Sequence, residues 1–166
     1  MRITDKTKFS TFAPVEKYLT ANGVEELKQA AERQFGAMYD LTFAQFHACA
    51  NGDFDDILGD MKDQTVLQVY WMKRFSDFVV EFANGLKRLT IKQTEDEKKA
   101  SSGMLKVAWD EGLLVFIQSF FGLKSFKEAE QITVGEILIA KRASYNQDIF
   151  MRNMNKIQMN KIGKKK

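Results

Sequence analysis

His47 and Cys49 are the only histidine and the only cysteine of the chain, so nucleophilic or metal chemistry of the usual kinds must pass through them. They stand two residues apart in FAQFHACA, and positions two apart on a helix do not face each other. No neighbouring carboxylate is placed to orient the imidazole, so a Cys–His nucleophile is not expected. One histidine and one cysteine also fall short of a structural zinc site. The run Asp53, Asp55, Asp56 and Asp60 invites comparison with a calcium loop. Counting from Asp53, however, the sixth position is Leu58 and the twelfth is Gln64, where such a loop needs Gly and Glu. Asp110 and Glu111 are adjacent and point to different sides of a helix, so they form no acid–base pair. Phosphate-cradling glycine patterns are absent. No catalytic residue, metal ligand or cofactor is nominated, and an enzyme is not expected.

The C-terminal segment offers different chemistry. Residues 141–166 hold eight Lys or Arg and one Asp, a local charge of +7, which leaves −4 for residues 1–140 out of a total of +3. Lys141, Arg142, Arg152, Lys156 and Lys161 are candidates for phosphate contacts, with Tyr145 available to stack on a base. Their spacing spreads them around a helix. The same segment carries Phe150, Met151, Met154, Ile157 and Met159, and methionine suits adaptable protein contacts because its thioether chain is flexible and polarizable. A helix-in-groove or self-assembly contact through these residues is the leading expectation. Nucleic-acid binding through the basic set is the alternative, and packing of this helix back onto the body remains open. A cationic helix with an apolar side can also lie on a membrane surface.

These residues need elements to hold them. Apolar residues make up 45% of the chain and charged residues 28%, with one proline and 14 phenylalanines; this is the balance of a globular protein built from long helices. From Met61 to Ile91, Leu67, Trp71, Phe75, Phe78, Phe82, Leu86 and Leu89 recur at helical steps and predict a long central helix. A second rod is expected over 102–121, with Leu105, Trp109, Leu113, Phe116 and Phe120 as its stripe, ended by Gly122. Its second half, apolar on nearly all sides, reads as the most buried helical segment, and these two helices are expected to form the core. Upstream, residues 1–12 read as an arm. A helix beginning near Pro14 is expected to stop before Asn22-Gly23, with another from Val24 to about Met38 whose stripe is Val24, Leu27, Ala31 and Phe35. Thr42 and Gln45 have capping-box spacing, opening a helix with Phe43, Phe46 and Ala50 inward. Thr94 with Glu97, and Thr133 with Glu136, repeat that spacing; Ser125 and Glu128 mark a further turn. The last helix is expected from about Val134 to Asn160, followed by a disordered lysine tail. The fold class is therefore all-α: a single-domain bundle of five to seven helices, with 1–133 as helical core and 134–166 as C-terminal helix and tail of the same domain. The N-terminus lacks the apolar run of a signal peptide. The most apolar window, Gly112 to Leu123, is too short to span a bilayer, so a soluble, cytoplasmic protein is expected.

LTFAQF at 41–46 and ITVGEILIAKRASYNQDIF at 132–150 resemble segments of small all-helical proteins of tailed phages. The nearest likeness is to tail assembly chaperones, in which a Leu/Ile-Thr-x-x-Glu-apolar segment opens an amphipathic helix. Thr133, Glu136 and Ile137 match that pattern, and Thr42, Gln45 and Phe46 match it more loosely. The resemblance implies a non-enzymatic role in virion assembly, as a chaperone or structural protein, in the host cytoplasm or the virion. It carries over no catalytic residues.

Overall fold

The computed structural model describes residues 21–59, 65–102, 104 and 108–163. The helix expected near Pro14, the 1–12 arm, Leu105 and the lysine tail lie outside the described residues. Among those described there are eight α-helices, one 3-10 turn and no strand. In chain order they are α1 (Ala21–Phe35), the turn Met38–Asp40, α2 (Phe43–Ala50), α3 (Asp55–Leu58), α4 (Val66–Arg88), α5 (Glu95–Ala100), α6 (Trp109–Phe121), α7 (Phe126–Ala129) and α8 (Val134–Gly163). The all-α class is as expected. The helix count exceeds five to seven because α3, α5 and α7 are pieces of only four to six residues.

α4 is the central helix, shorter at both ends than 61–91. Thr65 caps it: its hydroxyl accepts the Gln68 N–H at 3.3 Å while Gln68 Oε1 accepts the Thr65 N–H at 2.7 Å. Trp71, Phe75, Phe78 and Phe82 are buried along one side, as their steps require. The Phe46 ring lies among three of these aromatics, with centroids 5.6, 6.2 and 4.9 Å from Phe75, Phe78 and Phe82. Phe54 meets Phe75 edge-on. Trp71 stacks on Phe75 and its indole N–H donates to the Gly36 carbonyl. Such aromatic pairs add roughly 0.5–1.5 kcal/mol each beyond their burial.

Four expectations are corrected here. The helix packed most extensively along α4 is α1, which buries Ala31; α6 is not its principal cover. α6 starts at Trp109 rather than near residue 102, and it is not the most buried segment. Leu113 and Ile117 are sealed, whereas Trp109, Val115, Phe120 and Phe121 are exposed. Its main neighbours are α7 and α8, and part of its all-round apolar surface is left uncovered. α1, finally, runs through Asn22-Gly23 instead of starting after it, because a glycine in a first turn costs only about 1 kcal/mol. A smaller difference concerns α2, where Cys49 faces inward and Ala50 is exposed.

The starts of α2 and α8 are joined directly. The Phe43 N–H donates to the Ile132 carbonyl at 2.9 Å and the Val134 N–H to the Leu41 carbonyl at 2.8 Å, an isolated antiparallel bridge centred on Thr42 and Thr133. Each threonine also caps its own helix. The similar segments LTF and ITV thus pair with each other, fixing the root of α8 to the core. Gly135 makes this approach possible: a Cβ there would stand 3.2 Å from the Tyr39 carbonyl oxygen.

Candidate functional site

α8 has 30 residues and two unlike halves. In the first, Val134, Ile137 and Ala140 are all buried and join the core. Lys141 sits over the Phe116 ring, 3.5 Å from its centroid; loss of water there lowers the pKa of its ammonium group. Arg142 lines a cleft of about 210 Å³ with Tyr39, Glu81 and Arg88. Beyond Tyr145 most side chains of the helix are exposed, Arg152 and Met154 being partly covered. Phe150 is 61% exposed and Ile157 48%, Met151 and Met159 are also exposed, and Met154 is half-buried.

Helical rotation of about 100° per residue sorts these side chains. Phe150, Met154 and Ile157 fall within about 60° of one another, and Lys161 continues the same line. Met151 flanks this line and Met159 lies on the reverse. Three of the five residues expected to bind a partner are therefore collinear. On the opposite side Arg152 ties the arm to α5: Nη2 donates to both Glu97 carboxylate oxygens at 2.9 and 3.1 Å, and Nη1 to the Lys92 carbonyl at 3.2 Å. Thr94 and Arg152 together hold the Glu97 carboxyl below its ordinary pKa, the Thr94 N–H being the larger influence.

The basic set does not converge. Lys141 is engaged with Phe116, Arg152 with Glu97, and Arg142 with its cleft. Only Lys156 and Lys161 stand exposed on the projecting half, on different sides of it.

One constellation escaped the sequence. His47 Nε2 lies 3.1 Å from Asp110 Oδ2, so a carboxylate does orient the ring, contrary to expectation. The two residues are 63 positions apart, beyond any local pattern. Asp110 also receives backbone N–H groups of the first turn of α6, chiefly that of Glu111, and its pKa is lowered. The Asn51 amide nitrogen lies 3.4 Å from each ring nitrogen and donates to the His47 carbonyl. The nearest thiol cannot join them as a nucleophile: Cys49 is buried, and desolvation pushes its pKa up to about 12. The pair tethers the start of α6 to α2. Among the described residues no group of three His, Cys, Asp or Glu is placed to hold a metal ion, and no helix is long and apolar enough to cross a membrane.

No protein-family model matches the chain, and neither curated proteins nor solved structures give a significant match.

Proposed function

We propose that this protein is a non-enzymatic interaction module whose projecting half of α8 is a docking arm for another protein chain. The observation that carries this reading is the contrast within one helix: Val134 and Ile137 are fully sealed, while Phe150, Met151 and Ile157 stand in water fifteen or so residues further on. A helix that keeps its apolar line away from its own core is the donor side of helix-in-groove recognition. Apolar surface of this kind marks contact sites. The role fits the resemblance to phage tail assembly chaperones and virion structural proteins, and an assembly function of that class is the biological setting we favour. Nucleic-acid binding is the weaker reading, since Lys141 and Arg152 already have partners within the chain.

Site-specific photo-crosslinking in the native cell tests the proposal. A photoreactive residue at position 150 or 157 should give a discrete protein adduct, whereas the same residue at Val80, equally exposed on α4, should give none. Absence of any adduct from 150 and 157, or equal labelling from 80, refutes it.

A further inference from the structure

We propose that the cleft between α4 and α8 binds a small monocarboxylate with an apolar body, held between Arg88 and Arg142. Nothing in this site depends on the docking arm. The cleft has a volume of about 210 Å³ and lies where three elements meet. Tyr39 comes from the turn Met38–Asp40, Glu81, Gly85 and Arg88 from α4, and Leu138 and Arg142 from α8. Neither arginine has an ion-pair or hydrogen-bond partner among the described residues, and Glu81 is paired with neither. A cation in the last turn of α4 suits the negative end of the helix dipole, which accounts for Arg88 alone. Arg142 stands well inside α8 and has no such role. A guanidinium is a planar fork of donors matched to a carboxylate, and charge-assisted bonds of that kind are about twice as strong as neutral ones.

Charge and space narrow the ligand. Two arginines give +2 and Glu81 gives −1, so the cleft carries +1. One carboxylate neutralises it, whereas a phosphate dianion leaves an excess negative charge beside Glu81. The cleft falls below the roughly 300–1,000 Å³ of ordinary ligand pockets, which limits the ligand to the size of a large side chain. Leu138, half-buried, and the Tyr39 ring, 52% exposed, supply apolar walls. Gly85 keeps room between them. Glycine is among the least favourable residues inside a helix, and packing does not demand it here. A Cβ at position 85 would meet only Leu138 Cδ2, at the ordinary contact distance of 3.8 Å. An alanine would fit the fold but take space from the cleft. Free acids and polypeptide carboxyl termini share the chemistry that these residues recognise.

Titration of the full chain with phenylacetate at pH 7 and constant ionic strength, followed by amide NMR, tests the site. Saturable shifts are expected at Tyr39, Gly85 and Leu138, with a millimolar dissociation constant, as suits a ligand of about ten heavy atoms at a water-exposed site. Phenylethanol, the uncharged analogue, should give no saturable shift. Phenyl phosphate, mostly a dianion at pH 7, should bind more weakly than phenylacetate. Arg88→Gln and Arg142→Gln should each lower the affinity for phenylacetate about tenfold. Gly85→Ala should raise Tm by about 2–4 °C while weakening binding, a combination that a purely structural glycine would not give. N-acetylphenylalanine separates the two sources: tighter binding than phenylacetate assigns the site to a carboxyl terminus, weaker binding to a free acid, and either supports a carboxylate site. Shifts that grow linearly with ligand, equal binding of the alcohol, tighter binding of phenyl phosphate, or unchanged affinity in both arginine variants each overturns it.

Discussion

Replacing Gln68 with glutamate separates two accounts of how α4 is anchored. Gln68 is 7% exposed and its side chain does two things. Its Oε1 accepts the Thr65 N–H, closing the capping box, and its Nε2 donates to the Leu58 carbonyl at 2.8 Å, tying α3 to the start of α4. For capping alone glutamate is as good, and Glu97 and Glu136 hold the same position in α5 and α8. Glutamate cannot donate to Leu58, however. It sets a carboxylate oxygen against a buried carbonyl and leaves that carbonyl unsatisfied, at a cost of about 1–3 kcal/mol before the buried charge is counted. Gln68→Ala loses both contacts. The Leu58 carbonyl again costs about 1–3 kcal/mol and the exposed Thr65 N–H, which water can reach, about 0.5–1 kcal/mol. A total of about 1.5–4 kcal/mol is expected, or a fall in Tm of about 3–16 °C for a domain of this size. Thr65→Ala, which leaves the Leu58 bond intact, should cost about 1 kcal/mol. Urea denaturation of the three variants at pH 7 measures the order. Gln68→Glu as stable as the wild type would refute the tether and reduce Gln68 to a cap.

Two further outcomes follow from the same geometry. Phe46→Ala empties a site shared with Phe75, Phe78 and Phe82 and should cost about 3–5 kcal/mol in chemical denaturation; a loss under 1 kcal/mol would mean that the core is not packed around this ring. Glu136 accepts the Thr133 N–H and hydroxyl at 2.8 Å each, which holds its carboxyl below the ordinary value of 4.5. A carboxylate with a lowered folded pKa stabilises above its unfolded pKa and loses that contribution as pH falls through the folded one. Glu136→Gln should therefore flatten the decline of Tm below pH 4.5, and a decline as steep as the wild type's would contradict the assignment.

The fold was readable where signals are local. The period of Trp71, Phe75, Phe78 and Phe82 defines a buried side whatever covers it, and the Thr-x-x-Gln/Glu boxes at 42, 94 and 133 mark helix starts because both bonds form within four residues. The Thr65–Gln68 box carries the same signal inside the 61–91 stretch, where a longer apolar period runs over it. Pairing between elements was not readable. The greasiness of α6 says that it gains from burial, without saying that enough neighbouring surface exists, and α1, with one buried alanine, fits along α4 because a small side chain permits close approach. The His47–Asp110 contact was invisible for the same reason, since its 63-residue separation is closed by tertiary packing alone.

The projecting half of α8 raises a question of why it is helical at all. Residues 149–163 taken alone form a segment of marginal length for a helix in water, and Asn153, Asn155 and Asn160 are poor helix formers. Arg152 with Glu97 is an exposed pair, each side chain more than a third accessible, so water and salt screen it and it adds little to stability. What sustains the arm lies at its root. Thr133 caps α8, Val134 and Ile137 fix its first turns in the core, and the Leu41–Val134 and Phe43–Ile132 hydrogen bonds hold that start in place. Nucleation, the costly step of helix formation, is thus completed by the fold, and the outer turns need only propagate. Under the docking-arm proposal, a partner would meet an arm already helical, and little of the interaction energy would be lost to ordering it. The arm's poor intrinsic propensity and its placement on a sealed root are therefore parts of one arrangement: the core supplies the helix, and most of the outer surface of that helix stays exposed.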